Sequence, residues 1–147
     1  IIIQHAWQKG DEVSVKFNFM IQKKSQPKSK TVKDKGMYLQ RGPLVFALPF
    51  DTKIKTVKEY RNSGFYRYKI KATDKDNWKL KLNPEKKMEF IPAAEEKIRT
   101  PWDSPVVKLK VSLENKHNET GKYYLVPMGN TILRRVTFTL TEKNKNQ

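Results

Sequence analysis

Few side chains in this sequence are of a type and spacing that could do chemistry. His5 and His117 stand in different contexts, and neither has further ligands at the spacing a metal requires. Asp74 and Asp76 could work as an acid/base pair, but they lie in a lysine-flanked stretch where both stay solvated, which makes them turn formers. Glu95 and Glu96 are adjacent, so on any regular element their carboxylates diverge and do not face each other as glycoside hydrolysis needs. Gly42, Gly64, Gly121 and Gly129 fall into no phosphate-cradling spacing. The chain has no cysteine, which removes disulfides, thiolate metal sites and a cysteine nucleophile together, and leaves the redox compartment unread. No catalytic residue and no cofactor or metal site is expected within these residues.

The side chains suited to binding are aromatic. Sugar-binding surfaces stack pyranose rings on exposed aromatic faces, whereas sandwich cores bury the same residues. Trp102, between Pro101 and Asp103, is expected to be exposed in a loop, and Trp78, alternating with lysines, is expected to face the core. Trp102, Tyr66 and Tyr68 are therefore the candidate glycan platforms, with neighbouring lysines available to acidic sugars. Asn118-Glu119-Thr120 has the form of a glycosylation acceptor and marks an exposed loop.

The 31 Lys+Arg against 15 Asp+Glu give a net charge of +16, which draws polyanions. Arginine occupies only six positions (Arg41, Arg61, Arg67, Arg99, Arg134, Arg135), and the lysines are scattered from Lys9 to Lys145. Phosphate readers cluster cations on one face and favour arginine forks, so the scatter predicts a solvated surface and no specific nucleic-acid partner. The opening Ile1-Ile2-Ile3 run is far shorter than a signal or membrane-spanning segment, and no membrane partner is expected. With no initiating methionine, the chain is expected to begin inside a strand of a longer protein.

Strands must position these residues, because period-two alternation dominates. Val13, Val15, Phe17, Phe19 and Ile21 alternate with polar residues over Glu12–Gln22, and Lys9-Gly10-Asp11 supplies a turn back to a partner over Ile1–Trp7. Tyr66–Lys71, Trp78–Leu82, Val107–Leu113 and Ile132–Leu140 alternate in the same way. Arg41, Gly42 and Pro43 interrupt two apolar runs, Met37–Gln40 and Leu44–Leu48, and predict a bend or bulge. The polar run Lys23–Lys35 reads as an exposed connection. No segment keeps helical spacing; Ala93–Ile98 is one turn at most. The 3 Trp, 6 Tyr and 7 Phe are enough for a packed core. The pattern predicts an all-β fold with minimal helix, an antiparallel β-sandwich of jelly-roll type, as a single domain over residues 1–140 with a frayed polar tail over 141–147.

Four stretches, in order, carry a family resemblance: GDEVSVKFNFMIQ (Gly10 to Gln22), GMYLQRGPLVFAL (Gly36 to Leu48), DNWKLKL (Asp76 to Leu82) and YYLVPMGNTILRRVTF (Tyr123 to Phe138). Together they resemble the post-catalytic β-sandwich of glycoside hydrolase family 127, the β-L-arabinofuranosidase-like proteins. The chain departs from that family's pattern in its lysine density and in reading Asn77-Trp78 where tryptophan usually precedes asparagine. The resemblance implies a helical (α/α) barrel N-terminal to this region, holding the acid/base chemistry and a zinc-bound cysteine nucleophile, none of which is carried over here. It also implies a periplasmic or secreted setting.

On that basis the expected role is a non-catalytic accessory domain that packs against and stabilises the barrel of the same parent chain, with Arg41, Gly42 and Pro43 as a rigid interdomain bend. A homodimer is a further assembly this role admits. The alternative is a glycan-binding module, with plant-type glycans as ligands.

Overall fold

A computed structural model describes residues 2–26, 36–92 and 107–141. The chain folds as strands β1 (Ile21–Ser25), β2 (Met37–Arg41), β3 (Leu44–Pro49), β4 (Thr52–Glu59), β5 (Tyr66–Ala72), β6 (Lys81–Leu82), β7 (Glu89–Ile91), β8 (Lys108–Glu114), β9 (Thr120–Pro127), β10 (Arg134–Arg135) and β11 (Thr139–Leu140). Helix is limited, among the described residues, to two 3-10 turns, Asp76–Lys79 and Met128–Asn130. The all-β class with minimal helix therefore holds.

One nine-stranded sheet runs β1-β2-β3-β9-β8-β6-β11, with β10 added to β3 and β7 to β8, and it curls into a half-barrel. Its pairings are antiparallel except β6 with β11, which run parallel, so the sheet is mixed. The remaining pair, β4 and β5, forms a two-stranded ribbon of its own.

Alternation explains the best-formed part. In β8, Leu109, Val111 and Leu113 point inward while Lys108, Lys110 and Ser112 point away, and the strand pairs along its length with β9 from Leu109↔Leu125 to Glu114↔Thr120. The turn between them is tied by Asn115, whose Oδ1 accepts from the amides of His117 (2.8 Å) and Glu119 (3.1 Å). Asn118, at φ 62°, takes the left-handed position that asparagine tolerates. β3 is central and buries consecutive residues, Phe46, Ala47 and Leu48, because both of its faces are covered.

Phe138 closes the curl. It is fully buried, and its amide and carbonyl exchange two 2.8 Å hydrogen bonds with Met37 at the start of β2. The next two residues, Thr139 and Leu140, then pair with β6 on the far side of the sheet. One short stretch thus spans the open side, and its phenyl ring joins Leu39, Phe46, Leu82, Leu109 and Leu113 in a single core. Each such side chain contributes about 1.5–3 kcal/mol through removal from water.

Several local expectations change. The regular alternation of Glu12–Gln22 enters the sheet only at its last two residues; among the described residues Glu12–Met20 has no ladder partner, and neither has Ile2–Trp7. The turn between them does form, with Gly10 at φ 104° and the Asp11 amide bonded to the Gln8 carbonyl at 3.1 Å. Lys23, Lys24 and Ser25, expected in a connection, instead complete β1 against Leu39, Tyr38 and Met37. Main-chain pairing at a sheet edge needs no apolar side chain, and edge lysines discourage further strand addition. Residues 27–35 lie outside the described residues, as do Ala93–Ile98 and the tail from 142 to 147. Trp78 sits in a 3-10 turn and not in a strand, although Leu80 and Leu82 after it are buried as the alternation implied. Ile132–Leu140 splits into β10 and β11, because the chain must leave β3 and cross to β2 and β6 within a few residues.

Candidate functional site

Tyr66 and Tyr68 lie on β5, two residues apart and on one face, both exposed, with ring centroids 6.4 Å apart and planes tilted by 51°. The structure brings these two predicted residues together, but at an angle that offers no continuous flat platform. Trp102 lies outside the described residues.

The ribbon carrying them has a second face that composition alone concealed. Directly opposed residues of antiparallel strands share a face. The register pairs Lys53 with Lys71, Lys55 with Lys69 and Lys58 with Arg67. A bulge between Thr56 and Lys58 sets the last pair; unbroken register would put Val57 opposite Arg67. Ile54↔Ile70 and Thr56↔Tyr68 fall on the other face. Residues 53–58 and 66–71 are all exposed, so neither face is packed into the core. At the base the ribbon is stitched by Thr73, whose amide (2.9 Å) and hydroxyl (3.1 Å) both donate to the Asp51 carbonyl.

Gly42 and Pro43 form the two-residue turn joining β2 to β3, closed by the pair Arg41↔Leu44, so Arg41 ends the strand and does not lie in the bend. Gly42 has φ 56°, a left-handed value that suits glycine in tight hairpins, and its carbonyl accepts from Gln40 Nε2 at 2.7 Å. The Arg41 guanidinium lies 3.8 Å from the centroid of the Phe90 ring, a cation–π contact within this chain. Gly42 is covered by Phe19, and a β-carbon there would come 2.8 Å from that ring. The bend is thus a point at which the N-terminal segment touches the sheet. Phe19 stacks in turn on Phe17, with centroids 5.6 Å apart and planes at 7°.

Trp78, expected in the core, is partly exposed and stacks on Phe50 with a centroid separation of 4.2 Å. Beside it, Arg135 is held, among the described residues, by carbonyls. Its Nη1 donates to Leu80 O (2.7 Å) and Asn77 O (3.3 Å), its Nε donates to Thr137 O (2.9 Å), and the guanidinium lies 5.1 Å from the Phe138 centroid. Burial lowers its pKa from the ordinary arginine value. This is a stitch between the closing stretch and the Asp76–Lys79 turn, and sequence reasoning missed it because all its acceptors are backbone atoms.

The remaining titratable candidates stay apart. The Asp74 carboxylate accepts from the Asp76 amide at 3.2 Å, which is the turn-forming role. His5 Nε2 meets Asp11 Oδ2 at 3.1 Å in the exposed N-terminal turn, and the His5 ring stands edge-on to Trp7. Glu95 and Glu96 lie outside the described residues. Among the described residues no group of three or more histidines and carboxylates is placed to hold a metal, and no helix is long and apolar enough to cross a membrane. Comparison with protein-family models, with curated proteins and with solved structures finds no match.

Proposed function

We propose that this chain is a non-catalytic β domain of a larger carbohydrate-active protein of the glycoside hydrolase family 127 type, and that it packs against that protein's catalytic barrel through its N-terminal segment. The observation that carries the reading is the segment Glu12–Met20. It has the alternation of a half-buried strand, yet Val13, Val15, Phe17 and Phe19 are all exposed and no ladder partner stands beside them among the described residues. A row of large apolar groups left in water beside unpaired backbone is the mark of a surface that another body covers. The four sequence stretches that resemble the post-catalytic sandwich of that family support the choice of body. In this role the Gly42-Pro43 turn props the segment through the Phe19 contact.

Amide hydrogen exchange tests the docking. Residues 12–20 should exchange with little protection in the isolated chain and become protected when the chain carries the sequence that precedes Ile1 in its gene. Equal, low protection in both forms would rule the docking out.

A further inference from the structure

The cationic face of the β4–β5 ribbon makes no sense as a self-contained structure. Like charges placed directly opposite each other across an antiparallel pair are destabilising, and here three successive rungs are built that way: Lys53 with Lys71, Lys55 with Lys69, and Lys58 with Arg67. Among the described residues the Lys110–Glu89 ion pair and the His5–Asp11 contact lie elsewhere. Glu59, the one carboxylate of the ribbon strands, is opposed to Tyr66 on the other face, and its Oε1 accepts from the Gly64 amide at 2.9 Å. The bulge at Val57 strengthens the case, since it replaces a valine by a lysine in the third rung. With alternate residues about 7 Å apart along a strand and opposed residues about 5 Å apart across it, the six cations form a track about 14 Å long. Lys53, Ile54, Lys55, Lys69 and Lys71 line a shallow depression along it.

We infer that this lysine track is the contact surface for an acidic polysaccharide, a chain of uronate sugars laid along the ribbon. Charge complementarity selects a linear polyanion. The choice among polyanions follows from what shares the face with the cations. Nucleic-acid tracks combine cations with aromatic platforms for bases or with arginine forks for phosphate. Here Tyr66 and Tyr68 are on the opposite face, and five of the six cations are lysines, which act as point charges. A polyuronate presents regularly spaced carboxylates and has no bases to stack, which is what such a face can satisfy. The inference deepens the carbohydrate-active reading by naming a glycan class, but it uses none of residues 2–20, so docking and glycan binding stand or fall by separate measurements.

The test is affinity electrophoresis of the intact chain in gels containing polygalacturonate, neutral arabinan or single-stranded DNA, at roughly physiological ionic strength. Two variants of equal net charge are compared with the parent. One carries Lys53→Gln, Lys55→Gln, Lys69→Gln and Lys71→Gln; the other carries Lys79→Gln, Lys86→Gln, Lys87→Gln and Lys122→Gln at exposed positions elsewhere. Polygalacturonate should retard the parent and arabinan should not, and the ribbon variant should bind about tenfold more weakly while the control changes less than about threefold. Thermal unfolding of both variants separates lost binding from lost folding: every substituted position is exposed, so the control should melt near the parent, and the ribbon variant at or slightly above it because two like-charge rungs are removed. Equal weakening in the two variants would reduce the effect to bulk charge, and no retention on polygalacturonate, or tighter retention on DNA, would overturn the inference.

Discussion

Two stretches of this chain have almost the same pattern and opposite fates. In β8, Leu109, Val111 and Leu113 alternate with polar residues and are 0–1% exposed; in the N-terminal segment, Val13, Val15, Phe17 and Phe19 alternate equally well and are 40–70% exposed. The difference lies in the neighbours. β8 has β9 on one side and β6 and β7 on the other, so its backbone groups are paired and its apolar row has a core to enter. Among the described residues the N-terminal segment has the turn at Gly10 and the Phe19 contact with Gly42, and Glu12–Met20 forms no strand ladder. Alternation specifies a strand with one apolar face; it does not supply what the face packs against.

Mutations on the two sides sharpen or break that contrast. The largest effect is expected at Phe138, where truncation to alanine empties the centre of the core and loosens the closing stretch, at a cost of about 3–5 kcal/mol in a denaturant titration. Phe17→Ala, on the exposed row, should stay within about 0.5 kcal/mol of the parent. Comparable losses at the two sites would mean that the segment packs into the domain in solution. Next in size is Arg135→Ala, expected to cost roughly 1–3 kcal/mol because three carbonyls lose their donor together. Its mark is earlier loss of amide protection in Thr137–Leu140 than in β8.

Gly42→Ala places a side chain at φ 56°, a strain of about 1–2 kcal/mol, and also drives a β-carbon into the Phe19 ring. Part of the penalty should return in the double variant with Phe19→Ala, whereas strictly additive costs would show that the segment does not rest on the turn. The smallest effect concerns the surface rung Glu89↔Lys110, joined at 3.1 Å. The hydrogen bond and the charge of Glu89 raise the Lys110 pKa above its ordinary 10.5. The folded state therefore holds this proton more tightly, and the stabilisation is complete below 10.5 and lost as pH rises through the raised value. Glu89→Gln should lower the thermal midpoint slightly at neutral pH and converge with the parent at strongly alkaline pH.

Much of the architecture was legible because apolar period and turn chemistry are local. The all-β class, the scarcity of helix, β8, the turns at Gly10 and Gly42 and the exposed loop at Asn118 all follow from a few adjacent residues; β9 does not alternate cleanly enough to be read that way. The misplacements have physical reasons. Lys23–Ser25 is too polar to look like a strand, yet an edge strand draws on backbone hydrogen bonds alone. Trp78 alternates with lysines, but its neighbours form a 3-10 turn that sets the indole against Phe50. The lysine track was invisible because its members come from two strands. Scatter along the sequence becomes a ladder only once Lys53 faces Lys71, and the bulge that adds Lys58 leaves no signature in composition.

Local pattern therefore fixes the strand class, the apolar side of well-alternating segments such as β8, and turns such as Gly10 and Gly42, since steric and solvation preferences within a few residues settle these. Only the tertiary structure decided which apolar rows found a core, that β11 runs parallel to β6, that Phe138 closes the curl, and that six dispersed cations share one face. Those outcomes depend on contacts between residues tens of positions apart, and register, not composition, sets them.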